Sequence, residues 1–503
     1  MPINYKARLK WWRRLKRDIS RKVFRLNGIQ RARQRAPVAV LREELEELYT
    51  FIEGSDPLAA ATSLAALPEA RQAVAAAEEA LEEVFQLKQK RDWIHNHERP
   101  TRALTGQLNP KKHQGVSALR AANGEIVGTA IGCARVVTTH CAAVSAKPTT
   151  TNAAQNLVLD AMERQGSPVL DSGRAEVLVT EQEVLVALRR SKPGKAPGRD
   201  GIPVELYKKF KTQFVPILAG VFTAIGVLKN LPCGFLDGVI TVLYKKGDRV
   251  DAGNYRPISL TNTDYRVLAR VLAGRLGEVL PDLVDPAQTA FIKGRYIGDN
   301  AMLLQFVAAL LKEEGRSAVL ALCDFRKAYD TVDRYFLLAV ATKMGLGHGF
   351  VQWVRLLLEG TRSAAIINGY LAEPKLLLAG VRQGCPLAPL LYLLIGQALL
   401  CWIKDQGIGI QIAGSLLSGS QFADDLKALL DGPQQIPAFK AAMATFATAS
   451  GQHLLPAKTQ LLFIGVPPTQ PLPAVTVRLL LTCQSINILI ISAITAKTAL
   501  KQQ

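Results

Sequence analysis

Three carboxylates have the types and spacing to do chemistry. Asp424 and Asp425 are neighbours in Ser415–Leu430 (SLLSGSQFADDLKALL), between apolar flanks that read as two short strands joined at a tight turn. Like charges this close destabilise each other unless a cation or a proton intervenes. Taken alone, an Ala-Asp-Asp at a bend is a solvated turn. Some 100 residues upstream, Asp324 closes the apolar run Val319–Cys323 in SAVLALCDFRKAYDTVD, and taken alone it reads as a helix N-cap. Together, one strand-end Asp and one hairpin pair are the oxygen set that hard divalent ions such as Mg²⁺ prefer. Two such ions about 4 Å apart can clamp the attacking and leaving oxygens of a phosphoryl transfer.

The elements that must position these groups are legible in outline. Gly238–Leu260 is an apolar strand to Tyr244, a Lys245-Lys246-Gly247-Asp248 turn and a returning Asn254-Tyr255-Arg256-Pro257 strand. A hairpin carrying Lys and Arg near its turn suits a triphosphate, Lys as a point charge and Arg as a planar fork; an exposed charged hairpin is the plain alternative. Leu268, Val271, Leu272, Leu276 and Leu280 share a helical face in Asn262–Leu283, and Leu303–Glu313 and Phe439–Ala449 also read as helices. Upstream, Leu41, Leu45, Leu48 and Ile52 mark one amphipathic helix and Pro68–Trp93 a second. Lys192–Phe210 (KPGKAPGRDGIPVELYKKF) is a Gly/Pro-rich basic loop entering a short helix.

Composition bounds the class. The 503 residues are 49% hydrophobic, enough for large cores, and carry a net charge of +20. Residues 1–36 hold 13 Lys or Arg against one Asp, so more than half of that charge sits in one basic arm. Such an arm suits phosphate backbones, and equally a membrane surface, a nuclear import signal or no partner at all. Trp11 and Trp12 within it can stack on bases while the charges track phosphates, or belong to a poorly ordered tail. The seven cysteines show neither Cys-x-x-Cys spacing nor a Cys/His array, which points away from disulfides and zinc. No secretory signal opens the chain, and the apolar Val477–Ala496 is interrupted by Arg478, Gln484, Ser485 and Asn487, so no membrane span is expected.

Asp324 with Tyr329, Arg382-Gln383-Gly384 in GVRQGCPLAP, and Phe422-Ala423-Asp424-Asp425, in that order, resemble motifs A, B and C of reverse transcriptases. The variants are most similar to those of non-LTR (LINE-type) retrotransposons. Gln288–Asn300 (QTAFIKGRYIGDN) resembles a further family segment, with Ala290 and Lys293 where Gly and Pro are usual. Ser450–Thr459 (SGQHLLPAKT) resembles motif D, with Leu455 in place of a common Asn. The resemblance spans residues 177–466. It implies an α+β right-hand polymerase with fingers and palm, preceded by a basic, helical extension and lacking a recognisable thumb. The chain then divides into a basic arm (1–36), a helical linker (37–175), the reverse transcriptase domain (176–466) and an unassigned tail (467–503), as in a copy truncated at both ends.

The resemblance also implies roles. Asp324, Asp424 and Asp425 become the catalytic metal ligands, helped by the Phe325 carbonyl, with Mg²⁺ as cofactor and Mn²⁺ as a substitute. Lys245, Arg256, Tyr329, Gln383 and Lys458 would bind the nucleotide, with Lys246 the competitor of Lys245 and Tyr329 excluding a ribose 2′-OH. Lys195, Arg199 and Gly384 would meet template or primer, while Asp330 and Asp333 read as capping or surface groups. The expected partners are an RNA template, a DNA primer or target and dNTPs, with no membrane and no obligate protein partner. The expected activity is RNA-directed DNA synthesis in retrotransposition, inside the cell, in nucleus or cytoplasm. The alternative is an inactive remnant that keeps the fold and binds nucleic acid. A group II intron maturase fits the core motifs but fits Asn254–Leu260 and Gln288–Asn300 less well, and its own domain would need more than the 37 residues after 466.

Overall fold

A computed structural model of the chain describes residues 2–54, 66–74, 76–77, 115–169 and 178–466. Two compact units result: Met1–Leu15 with Val116 onward, and Lys16–Gly115. In the second unit, the helix that begins in the first runs on and residues 66–74 and 76–77 are helical. The first unit carries the candidate site.

In chain order its elements are α1 (Tyr5–Gly54), β1 (Leu119–Arg120), β2 (Ile126–Val127), α2 (Ala130–Val144), α3 (Asn152–Arg164), α4 (Glu181–Arg189), α5 (Val204–Lys209) and α6 (Lys211–Leu228). Then come β3 (Asp237–Tyr244), β4 (Tyr255–Thr261), α7 (Thr263–Leu283), α8 (Ile297–Glu313), β5 (Ser317–Cys323), α9 (Ala328–Thr331), α10 (Arg334–Lys343) and α11 (His348–Leu358). The remainder is β6 (Arg362–Ile367), β7 (Tyr370–Leu371), β8 (Lys375–Leu376), α12 (Ala388–Asp405), β9 (Ile410–Ile412), β10 (Ser415–Leu417), β11 (Gly419–Phe422), β12 (Asp425–Leu430), α13 (Ile436–Ser450) and β13 (Gln460–Gly465).

One sheet has the order β11-β12-β5-β13, antiparallel throughout. Its centre is β5, whose residues Ala318–Ala321 are all buried, so an uninterrupted apolar run replaces the alternation of a half-exposed strand. Leu304, Val307 and Leu311 of α8 pack on the face that presents Ala318 and Leu320, together with Leu429, Leu462 and Ile464. Each such side chain contributes about 1.5–3 kcal/mol by leaving water.

The other sheet runs β4-β3-β6-β7, with β8 on β6. The β3–β4 hairpin is antiparallel, but β3 and β6 are parallel, and a parallel pair needs a long crossover. Here the crossover contains α7, α8 and β5, so the two sheets are threaded through one another in sequence. Cys133, Ala134 and Val137 of α2 cover Ile240, Ala365 and Ile367 of this sheet. Thr138 Oγ1 donates to the Ala134 carbonyl at 2.8 Å and accepts from the Ala365 amide at 2.8 Å, which ties helix to strand. The stretch Cys133–Gln155, which composition alone leaves unplaced, is therefore α2 and the start of α3. The latter packs on α12 and α13.

The basic arm is the first part of one helix that continues through Leu41, Leu45, Leu48 and Ile52. Leu9 is 7% exposed and Trp12 fully buried; the indole meets Phe214 edge-on at 6.4 Å and its Nε1 donates to Asp264 Oδ2 at 3.0 Å. Trp12 is thus a core residue and cannot stack on bases. The run of apolar residues around it, Leu9 and Trp12 at helical spacing, was the available signal. Among the described residues two helices, α6 and α12, are long and apolar enough to cross a membrane, yet 78% of the α12 span is buried within the protein. Val477–Ala496, the 467–503 tail and much of the second amphipathic segment lie outside the described residues.

Replacing Trp12 by Ala removes an aromatic filling and the donor to a buried carboxylate. The expected loss is about 3–5 kcal/mol, read as a lowered midpoint in chemical denaturation, while Trp11→Ala at a half-buried position shifts it far less.

Candidate active site

The β5–β12 pairing ends at Cys323–Leu426, so Asp324 and Asp425 are the next residues on two adjacent strands, and Asp424 precedes them in the turn. The register brings carboxylates 100 residues apart in sequence to one edge of the sheet. Behind Asp324 the chain continues along Gln452–Leu455: Leu455 N donates to the Asp324 carbonyl and Arg326 N to His453 O, both at 2.8 Å. The departure at Leu455 is therefore harmless to this contact, since any residue but proline supplies that amide. Phe325 pairs with Leu454 as an isolated bridge, and its carbonyl takes no part in those two bonds. Lys458, four residues on from Leu454, places its Nζ 3.4 Å from Asp324 Oδ2.

The hairpin turn is held by a group that chemistry-first reading passes over. Ala423 has φ +57°, which costs a non-glycine residue roughly 1–2 kcal/mol. The Gln288 side chain, fully buried, offsets this: Oε1 accepts from Ala423 N at 3.0 Å, and Nε2 donates to Gln421 Oε1 at 3.1 Å. Gln288 Oε1 also accepts from Ala290 N at 3.1 Å. Ala290 itself is not left-handed; Phe291 is, at φ +58°, so an alanine in place of the usual glycine needs no unusual backbone.

Tyr329 follows Asp324 by one turn and stacks on Tyr392 of α12, ring centres 4.7 Å apart. Burial, then the charges of Asp424 and Asp425, push the Tyr329 hydroxyl up; Tyr392 rises for the same reasons. Both phenols stay neutral beside the carboxylates. Tyr392 donates to Gln452 Oε1 at 3.1 Å, which keeps the stack in place.

Cations gather around Lys245. Partial desolvation and then the like charges of Lys327, Arg256 and Lys458 lower the Lys245 ammonium's hold on its proton, with Asp330 acting the other way. Asp330 is neither a cap nor a surface group: burial pushes its carboxyl up to about 6 against the pull of Lys327 and Lys245, and its Oδ2 accepts from Gln383 Nε2 at 3.0 Å. Asp333 does cap α10, accepting from Phe336 N at 2.9 Å, but it is buried and also accepts from Thr150 Oγ1 at 2.7 Å. Arg199 pairs with Asp237 at 3.4 Å, and Lys195 is exposed in the same loop; neither touches the carboxylate cluster.

The loop bearing Gln383 is fixed through backbone. Val381 N donates to Tyr329 O at 2.7 Å, Gly380 N to Val332 O at 2.8 Å, and Ser259 N to Gln383 O at 3.0 Å. Gly380 (φ +77°) lies so close that a Cβ would sit 2.5 Å from the Asp330 carbonyl; at Gly384 (φ +103°) it would sit 2.7 Å from Ser259 O. Arg382 is buried with its guanidinium 5.5 Å from the Tyr265 ring centre, a packing role.

Asp324, Asp424 and Asp425 are hard oxygen donors of the kind Mg²⁺ takes. Among the described residues no three His, Cys, Asp or Glu side chains are gathered in metal-site geometry. The cation on Asp324 is Lys458. The carboxylates fit a divalent ion in donor type and in their common sheet edge, and an ion on Asp324 competes with the Lys458 ammonium for the same oxygen.

Residues 244–491 match the family described as reverse transcriptase (RNA-dependent DNA polymerase). The chain carries a reverse transcriptase domain of the non-LTR retrotransposon kind. Among its relatives is the Transposon TX1 uncharacterized 149 kDa protein of Xenopus laevis, 32% identical over 266 residues, 52% of this chain and 20% of that protein. The Retrovirus-related Pol polyprotein from type-1 retrotransposable element R2 of Popillia japonica is 28% identical over 281 residues, 55% of this chain and 38% of that protein. The type-2 R2DM polyprotein of Drosophila melanogaster is 27% identical over 248 residues, 49% and 23% of the two. The chain thus spans between a fifth and two fifths of the length of these curated relatives. The family match runs to 491, past Gly465, where the motif resemblance stops; residues 467–491 lie outside the described ones.

In this reverse transcriptase domain, motif reading missed Gln288, Gly380 and Asp330. The signal for Gly380 was a glycine immediately before the Val-Arg-Gln-Gly run. Gly380→Ala should cost about 1–3 kcal/mol more than Gly369→Ala, measured by denaturant unfolding. Both positions have positive φ, but only Gly380 has neighbours within 4 Å of the added carbon.

Proposed function

We propose that the chain is an RNA-directed DNA polymerase that extends a primer 3′-OH with dNTPs on an RNA template, as part of non-LTR retrotransposition. The four-stranded sheet with its helices is the palm, and the five-stranded sheet with α2, α6 and α7 is the fingers. The observation that carries the reading is the sheet edge shared by Asp324, Asp424 and Asp425, with Lys458 3.4 Å from Asp324 and Lys245 within electrostatic reach of both Lys458 and Arg256.

Asp324, Asp424 and Asp425 would hold Mg²⁺, with Mn²⁺ as a substitute and the Phe325 carbonyl as a further donor. When bound, the ions lower the pKa of the primer hydroxyl and neutralise the leaving pyrophosphate. The protein's own part is to position and to stabilise charge. Lys245 and Arg256 hold the triphosphate, whose negative charge relieves the repulsion among the cations around Lys245. Lys458 then exchanges Asp324 for the phosphates and stands ready to donate a proton to pyrophosphate. The neutral Tyr329 ring, backed by Tyr392, blocks the position of a 2′-OH. Gln383 and Gly384 lie along the nascent pair, and Lys195 and Arg199 extend the template surface.

Primer extension tests this: purified chain, RNA template, annealed DNA primer, dNTPs and Mg²⁺. Extension by the parent should fall at least about 10²–10³-fold in Asp424→Asn. Primer-template bound and released by salt, without extension by either protein, would instead identify an inactive remnant. Tyr329→Ala should raise incorporation of rNTPs relative to dNTPs; an unchanged ratio would remove the steric role from Tyr329.

A further inference from the structure

The proposed reaction uses Gln383 but leaves Asp330 without a task, although it is the side chain that Gln383 touches. A primary amide presents a donor at one end and an acceptor at the other, and the two ends are nearly isosteric. Alone, Gln383 could offer either end to a bound nucleotide. Asp330 removes that choice. An ionised carboxylate only accepts hydrogen bonds, so the end of Gln383 that lies 3.0 Å from Asp330 Oδ2 is its NH₂, and the carbonyl is turned away.

The geometry points to Asp330 as a positioning residue for templated synthesis: it locks the Gln383 amide so that the carbonyl oxygen, and not the NH₂, faces the incoming nucleotide. This rests on the polymerase reading and deepens it. The surrounding backbone makes the lock rigid. Val381 N to Tyr329 O at 2.7 Å and Gly380 N to Val332 O at 2.8 Å clamp the Gln383 loop onto the turn that carries Asp330. With the close approach at Gly380, neither partner can drift from the other without breaking main-chain contacts. The same carboxylate lies within electrostatic reach of Lys245, so the lock stands beside the cations proposed to hold the triphosphate.

Asp330 also makes the lock pH-dependent. The charged and titratable groups around it are Lys327 on its own turn, Lys245 beyond β3, Cys141 on α2 and, lining the same cavity, His140, Arg334 and Arg382. Burial dominates and raises the carboxyl from its ordinary 3.8 to about 6. Below that point the protonated acid can donate to the Gln383 carbonyl, and the amide is free to turn over. Because the folded value is the higher one, the folded chain binds the extra proton between those values. This group's contribution to stability accordingly declines as pH rises through that window.

The test is steady-state primer extension from pH 5 to 8 with Asp330→Asn, Gln383→Ala and the double variant, each first checked for an unchanged melting temperature at pH 8. Asn keeps the shape of Asp but can donate or accept, so the lock is lost without a cavity. In the parent, KM for dNTP should rise on acidification with a midpoint near 6. In Asp330→Asn it should be about tenfold higher at pH 8, equivalent to one hydrogen bond of about 1.4 kcal/mol. That variant should keep kcat within about twofold and lose the acid limb. On the Gln383→Ala background the Asp330 change should add nothing.

Gln383→Glu gives a second route that does not depend on Asp330→Asn folding well. It sets two acceptors face to face at pH 8 and should recover toward parental KM on acidification, when one shared proton restores a hydrogen bond. A parent that extends no primer under any condition overturns the polymerase reading and this assignment with it. An active parent whose Asp330→Asn variant keeps both KM and the acid limb, or whose double variant shows additive losses, overturns this assignment alone.

Discussion

The structure depends on one register. Asp324 and Asp425 stand together because Cys323 pairs with Leu426, and that pairing extends down to Val319 with Leu430. Successive side chains of a strand alternate between faces, so a slip of one residue would turn Leu429 and Ala428 to the wrong sides and carry Asp425 away from Asp324. The repulsion between the carboxylates works against the correct register. What outweighs it is apolar: β5 is buried on both faces between β12 and β13, with α8 packed on one of them. Local unfavourable electrostatics are tolerated at the strand ends because they are the smallest part of a large buried interface.

The groups that carry charge and the groups that carry geometry are largely different residues. Asp324, Lys245 and Lys458 bear charge. Main-chain contacts place the segments around them: Leu455 holds Asp324, Val381, Gly380 and Ser259 hold the Gln383 loop, and the buried amide of Gln288 holds the hairpin turn. A main-chain amide is indifferent to the residue that bears it, which is why Leu455 and Ala290 can depart from the family pattern without disturbing the local bonds. Glycine at 380 and 384 is a different matter, because there the neighbouring backbone occupies the space of a side chain.

This division explains what could be read from the chain alone. The carboxylate strand end, the hairpin and the basic β3–β4 turn were legible because their signals are local: a short apolar run, a charge at its end, a turn. Family membership was legible for the same reason. Long-range pairings were not. Nothing near Trp12 in sequence indicates Asp264, and nothing near Asp330 indicates Gln383, so one was open to a base-stacking role and the other was read as a cap or surface group. The α2 helix escaped notice because its Ala, Thr and Val composition suits helix and strand alike, and only the sheet beneath it decides.

The Trp12 contact has a consequence for how the chain is made. Its indole leaves the ribosome 252 residues before the carboxylate that receives it. At ordinary synthesis rates of about 5–20 residues per second, the interval is roughly 10–50 s. For that time α1 carries a large aromatic side chain among basic ones without the pocket built from α6 and α7. α1 is therefore seated no earlier than α7. That exposure falls during translation, far in sequence from the candidate site.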